Sequence, residues 1–431
     1  MEIPSSVPDS RPEPRAAVLG RFLRGSLGSG VAVGARTAGA LVLNKLLAVY
    51  GGPGGLTLLA HFQNLMALFT TLPNDGVHVG VVKYLAPLRA GSGRYRAWLG
   101  AGLVLNVAAL AVAALALLLA PGPLVAVFGR GLGWVAGLLA GLALLTGHAL
   151  VVSVLLAAGR LRAYVGLTVL LSLLGPAVVA LVLAGGGSIP AALLAYLLAQ
   201  GATLGPALLV ARRAGLLPSL RGRISRAGLR ALGRFLLMAL SVLLFSKAVD
   251  FSLRQVLIRQ FGLGPTDLWQ AVAKLSDNYT MVFSALMSSV YYPRLAALSG
   301  RPTERRRLVR TVLALLAPGL ALGLGALWLL RGGLLAVLFE ARFVEANFLL
   351  APQLLSDWLK FLTWVLLFLL TAQARVGQYV AVQAVSALVL AVLLALLLPT
   401  YGLLGAPLAQ AARYGLLLAW CLWFFRRELS H

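Results

Sequence analysis

The residues of this chain best suited to chemistry are charges embedded in apolar sequence. All five lysines, Lys45, Lys83, Lys247, Lys274 and Lys360, fall in stretches dominated by Leu, Val and Ala, and Arg36, Arg254 and Arg413 join them. The acids in comparable surroundings are Asp75, Asp250, Asp277 and Asp357. A charge at the centre of a membrane helix costs about 2.5 to 3.5 kcal/mol on insertion scales, so such residues face a cavity or a partner. Eight bases against four acids predict a cationic interior suited to an anionic ligand. Lys247, Asp250 and Arg254 are spaced i, i+3 and i+7 and share one helix face, and Lys274 with Asp277 and Asp357 with Lys360 repeat the i, i+3 spacing. Such pairs either neutralise each other or hold a ligand, and the four acids are also candidates for ion or proton coupling. Lys45 and Lys83 sit near helix ends, where a long stem carries the ammonium to the interface. Arg36 and Arg413 have no acid at helical spacing, which makes them the stronger substrate candidates. With Lys45, Lys247, Arg254, Lys274 and Lys360 they would line a cationic cleft.

The elements that must position these charges are membrane helices. Of the 431 residues, 60% are hydrophobic and 11% charged, and the mean hydropathy is +0.92. These values exclude a soluble domain. About twenty apolar residues cross the hydrocarbon core, and twelve such segments are present: 28–50, 56–85, 98–120, 132–157, 164–184, 190–211, 232–258, 268–292, 308–330, 348–370, 379–398 and 403–425. Glycine and proline clusters such as Gly51 to Gly55 and Pro121 to Pro123 separate them. The single cysteine, Cys421, excludes a disulfide framework and Cys-based metal or redox sites. Arginines crowd alternate loops, as at Arg94 and Arg96, Arg160 and Arg162, Arg212 and Arg213, and Arg305 to Arg307. The positive-inside rule then places both termini in the cytoplasm. It accounts for much of the net charge of +25, together with anionic headgroups, without nucleic-acid binding.

An internal repeat divides the twelve segments into two sixes. Tyr50-Gly51 and Lys83-Tyr84 correspond to Phe261-Gly262 and Arg294-Leu295 at an offset of 211, and Leu198-Ala199-Gln200 to Leu408-Ala409-Gln410 at 210. An even number of spans per half gives a parallel repeat about an axis along the membrane normal. The expected organisation is a cytoplasmic polar segment 1–24, an N-terminal lobe 25–211, a basic linker 212–230 and a C-terminal lobe 231–431. Leu-Pro-Asn-Asp-Gly at Leu72 to Gly76 is a turn sequence inside the second span, predicting a break or kink beside Asp75. His61, His78 and His148 have no metal-like cluster around them, so packing or hydrogen bonding is expected of them.

The sequence lacks G-x-x-x-x-G-K-[ST], H-E-x-x-H and G-x-S-x-G, and no Cys-His arrangement or cofactor motif is present. Transport rather than catalysis is expected. The stretch Asn44-Lys45-Leu46-Leu47-Ala48-Val49-Tyr50-Gly51-Gly52-Pro53-Gly54-Gly55-Leu56, followed by Phe62-Gln63-Asn64 and Val82-Lys83-Tyr84, resembles the first helical hairpin of the Wzx-type polysaccharide and O-antigen flippases. Trp269-Gln270 with Ser276-Asp277, and Asp357-Trp358-Leu359-Lys360, are similar to the eighth and tenth helices of that family's enterobacterial common antigen lipid III branch.

The resemblance implies the fold of the multidrug/oligosaccharidyl-lipid/polysaccharide exporter superfamily: an all-α polytopic protein of about twelve transmembrane helices in two six-helix lobes around a central cleft. It implies an inner-membrane flippase for an undecaprenyl-pyrophosphate-linked oligosaccharide, with a polysaccharide polymerase and a chain-length regulator as partners besides membrane lipids. Lys45, Asp277, Asp357 and Lys360 carry over to the family pattern, while Asp250, Lys274 and Arg413 depart from the lipid III branch. The rival readings are a multidrug cation antiporter of the same fold, whose cleft should be acidic, and a non-transporting scaffold for a glycan assembly complex.

Overall fold

In lipid a backbone can satisfy its polar groups only within helices or closed barrels, and the long Leu-rich and Ala-rich segments of this chain take the helical solution. The computed structural model describes residues 15–119, 128, 131–217, 224–298, 301–373 and 375–426. The segment 1–14, the Pro121 to Pro123 turn, and Arg221 and Arg223 of the expected linker lie outside the described residues. Twelve helical passes follow one another through short turns, and no strand occurs among the described residues. In the first half these are α1 (Arg15–Tyr50), α2 (Gly55–Thr71, carried on through the π-helical turn Leu72–His78 and Val79–Leu85), α3 (Gly93–Leu119), α4 (Leu132–Ala157), α5 (Leu161–Ala184) and α6 (Ile189–Ala202 with Leu204–Arg213). The second half has α7 (Arg226–Val242, π-helical Leu243–Lys247, Ala248–Phe261), α8 (Leu263–Leu286, π-helical Met287–Tyr291, Tyr292–Ala297), α9 (Pro302–Leu329), α10 (Asn347–Ala372), α11 (Val376–Tyr401) and α12 (Gly405–Phe424). A short helix, Arg331–Leu338, and a 3₁₀ turn, Ala341–Ala346, link α9 to α10.

Several helices run past the apolar segments that announce them. Apolar length marks the hydrocarbon crossing, whereas the helix continues into the headgroup zone. Thus α1 already begins at Arg15, inside the expected polar segment, and α8 begins at Leu263 rather than Leu268. Nine stretches among the described residues are long and apolar enough to span a bilayer, and one of them, Gly377–Phe424, holds both α11 and α12. The two passes missing from that set are α2 and α8. They carry His61, Gln63 and Asn64 in one case and Asp267, Gln270, Lys274 and Asp277 in the other. The break expected beside Asp75 is the π-helical turn at Leu72–His78, whose wider turn accommodates Pro73 without ending the helix.

Close backbone approach rather than apolar burial drives helix association in lipid. At Gly39 of α1 an added Cβ would lie 2.3 Å from the carbonyl oxygen of Ser172 on α5. Gly76 and Gly80 form a G-x-x-x-G face on α2 against Leu232, Leu236 and Ala239 of α7, joining the two halves. A Cβ at Gly76 would sit 3.2 Å from the Leu236 Cα, and backbone cannot swing aside. Replacing Gly76 with isoleucine is therefore expected to destabilise the protein by about 1–3 kcal/mol, measured as a lowered thermal midpoint in detergent. An unchanged midpoint would show that α7 shifts freely on α2.

Candidate functional site

The charged residues are positioned by α2, α7 and α8, which meet where the two halves join. The end of the bundle holding the α1–α2 turn is called here the far end, and the other the terminal end, since an even number of passes brings both termini to it. At the far end, Gly52 and Gly54 adopt φ of +58° and +98°, left-handed values that suit glycine alone. A Cβ on Gly54 would stand 2.7 Å from the Leu263 Cβ, so the glycine lets α8 close on the turn. Asp267, 1% exposed, then accepts hydrogen bonds from the backbone N–H groups of Gly54 (2.6 Å) and Thr57 (2.7 Å). A carboxylate from the second half thereby caps the start of α2, satisfying donors that its own helix leaves orphaned. Arg342 donates to the carbonyls of Ala48 (3.0 Å) and Gly52 (2.9 Å) and to Glu340 (2.8 Å), and lies 3.6 Å from Asp267. The Lys45 ammonium donates to Val337 O at 3.1 Å and to Ala336 O at 3.5 Å, closing the end of helix Arg331–Leu338. Lys45 is thus placed as a tie between α1 and the second half.

About one turn deeper, the buried Arg254 donates from Nε to Gln270 Oε1 (2.7 Å) and lies over the Trp269 ring. His61 of α2 stacks on Phe251 of α7, with ring centroids 4.5 Å apart. Both ring nitrogens of His61, Arg254 Nη1 and Gln270 Nε2 are buried without a hydrogen-bond partner in the protein. Each such group costs about 1–3 kcal/mol until water or a ligand meets it. One turn further, Lys274 Nζ donates to Gln63 Oε1 at 2.5 Å. Gln63 and Lys274 are 211 positions apart, and Thr57 and Asp267 are 210 apart, which matches the internal repeat. A residue can touch its own repeat mate only close to the axis relating the halves, so the α2–α8 contact lies on that axis.

Below this seam the charges open to water. Asp250 and Asp277 are exposed although they sit among the helices, and the fields of Lys247, Arg254, Asp277 and Arg413 all act on Asp250. Asp75, exposed on the π-helical turn of α2, is coupled to Lys247 across the halves. Despite its i, i+3 spacing, Lys274 makes no ion pair within 4 Å with Asp277, and its hydrogen-bond partner is Gln63 instead. Asp357 and Lys360 do pair, at 2.5 Å. The Asp357 carboxylate, 1% exposed, also accepts from Ser276 Oγ (2.7 Å), Gln353 Nε2 (3.3 Å) and the Tyr279 hydroxyl, while Lys360 reaches Thr280 Oγ1 (3.0 Å). Asp357 is therefore a saturated hub tying α8 to α10.

The two arginines without an acid at helical spacing separate. Arg413 is buried, donating to Ser386 Oγ on α11 (2.6 Å) and to Gln410 Oε1 (3.3 Å). Arg36 is exposed on α1 and donates to the Tyr164 hydroxyl of α5 at 3.4 Å, away from the α7–α8 cluster. Lys83 is exposed beside the Tyr84 and Phe235 rings, consistent with a snorkelling stem. His78 is within 2.7 Å of Asn106 Nδ2 and His148 within 2.9 Å of Thr203 Oγ1, and no cluster of metal-ligating residues occurs among the described residues. Asp267 escapes the sequence reading, and Gln63 and Gln270 stand in it as motif residues without a site role. The first lies one residue before the predicted eighth span, and the glutamines are uncharged. The signal that finds Gln63 is its position 211 before a buried lysine.

No protein-family model matches the chain. It is 27% identical over 409 residues to the lipid III flippase of Escherichia coli (strain K12), an alignment covering 89% of this chain and 93% of that one, and equally similar to the lipid III flippase of Shigella flexneri. Among solved structures, the inward-facing conformation of a multidrug resistance MATE family transporter of the MOP superfamily superposes with a TM-score of 0.67 at 14% identity, covering 92% and 94% of the two chains. An outward-facing MATE family transporter of that superfamily gives 0.57 at 15% identity, covering 93% and 96%. The lipid II flippase MurJ in an inward closed conformation gives 0.66 at 12% identity, covering 94% and 89%. These relatives are flippases and transporters by name, not enzymes. Along nearly its whole length this multi-pass membrane protein therefore resembles the lipid III flippases, and it has the two-lobed fold of the MATE and MurJ transporters.

Proposed function

We propose that this protein is a flippase that moves an undecaprenyl-pyrophosphate-linked oligosaccharide from the cytoplasmic to the periplasmic leaflet by alternating access through a cationic cleft. The observation that carries the reading is the convergence of Lys247, Arg254, Lys274 and Arg413 on the exposed acids Asp75, Asp250 and Asp277, four bases against three acids beside the seam between the lobes. Such a surplus at low dielectric suits a pyrophosphate, which accepts several charge-assisted hydrogen bonds. The unmet donors on Arg254, Gln270 and His61 lie next to it.

With the terminal end in the cytoplasm, the contacts of Asp267, Arg342 and Lys45 close the periplasmic side. Parting of those contacts would deliver the headgroup outward, where a polymerase and its chain-length regulator would consume it. Lys45 and Lys360 are assigned to holding the fold, and Asp277 to proton or ion coupling. A cation antiporter draws support from the exposed Asp75, Asp250 and Asp277, but the net positive charge of the cluster opposes it.

Deleting the gene should accumulate undecaprenyl-pyrophosphate oligosaccharide on the cytoplasmic leaflet. Wild-type protein should reverse this, whereas Arg254→Ala and Lys274→Met variants present at wild-type levels should reduce export at least 10-fold. Normal export by both variants, or no accumulation in the deletion strain, would count against the flippase reading.

A further inference from the structure

Among the cavities outside the charged cluster, one combines aromatic walls with polar groups. It occupies about 290 Å³ inside the C-terminal lobe, between α7, α8, α10 and α11. Its walls include four aromatic side chains, Phe245, Trp364, Phe368 and Tyr379, and the polar groups of Ser246, Ser284 and Gln383, with no carboxylate, lysine or arginine. Among the described residues Ser246, Ser284 and the Trp364 indole make no side-chain hydrogen bond, while Gln383 donates to the Tyr379 hydroxyl at 3.0 Å. Flat apolar faces with uncharged donors and acceptors suit a neutral pyranose, whose ring presents C–H groups on its faces and hydroxyls at its edge.

Position points the same way. Phe245 and Ser246 belong to the π-helical turn of α7 that ends at Lys247. Trp364 lies one turn beyond Lys360 on α10, and Ser284 one turn beyond Thr280 on α8. On all three helices the cavity is on the terminal side of the charged layer. We infer that this cavity is a sugar subsite, holding a neutral pyranose of the headgroup while the cationic residues hold the pyrophosphate. The inference rests on the flippase reading and adds to it the part of the ligand that the charges cannot recognise.

The test is a native mass-spectrometry titration of the purified full chain with two lipids, undecaprenyl pyrophosphate and undecaprenyl pyrophosphate bearing one N-acetylhexosamine. The wild type should bind the sugar-bearing lipid about 10-fold more tightly, and Trp364→Ala and Gln383→Ala should each remove most of that difference while binding the bare pyrophosphate lipid as before. Equal wild-type affinity for the two lipids would overturn the sugar subsite and leave the flippase reading standing. Binding of neither lipid would overturn both. Variants that lose both lipids in proportion would show that the side chains support the lobe rather than the sugar, which also overturns the subsite.

Discussion

Replacing Asp357 with leucine while Lys360 remains will lower the stability of the protein by about 3–5 kcal/mol, the cost of stranding one member of a buried ion pair. The Lys360 ammonium has few alternatives. Its side chain is 12% exposed, its other neighbours are the Thr280 hydroxyl and the faces of Phe361 and Trp364, and no second carboxylate lies within 4 Å of it among the described residues. The Ser276, Tyr279 and Gln353 donors would lose their shared acceptor at the same time. Pairing the change with Lys360→Met should recover much of the loss, because two apolar side chains replace a charge pair without leaving a charge behind. Thermal unfolding in detergent, read on both single variants and the double variant, measures the coupling. A loss below about 1 kcal/mol for Asp357→Leu would mean that water reaches Lys360 and that the hub is open to ions.

Replacing Asp267 with alanine will shift the protein toward opening at the far end. The carboxylate accepts two backbone N–H bonds across the lobes, and a hydrogen bond to a charged group is worth about 1.5–3 kcal/mol. Losing both costs the closed state about 3 kcal/mol or more, on the order of a 100-fold change in the open-to-closed ratio. Spin labels at Tyr50→Cys and Tyr401→Cys, exposed at the far ends of α1 and α11, report the separation, with the buried Cys421 changed to alanine. A longer second distance should appear in Asp267→Ala and be weaker in Asp267→Asn, which keeps one acceptor oxygen. An unchanged distance distribution would show that Arg342 and Lys45 hold the seam alone.

Much of the architecture could be read from hydropathy, because each pass must be apolar for about twenty residues whatever surrounds it. The site could be read only in part, and two of the three i, i+3 pairs show why. Asp357 and Lys360 do bond, whereas Lys274 turns from Asp277 to Gln63 on another helix. Spacing along one helix says which side chains share a face and nothing of what that face meets. Arg413 illustrates the same limit, since its Ser386 partner comes from α11. Asp267 was invisible for another reason: its partners are backbone N–H groups, which carry no residue-type signature.

The contact between Gln63 and Lys274 bears on how such a site can arise at all. Were the protein a dimer of one six-helix unit, every side chain placed on the axis would meet its own copy. A lysine there would face a lysine, and two ammonium groups at 2.5 Å would drive the halves apart, while a glutamine facing a glutamine would leave the axis uncharged. Fusing the two units in one chain removes that restriction. A single positive charge can then stand at the centre of the molecule with a neutral amide opposite, an arrangement that no symmetric pair of subunits can encode.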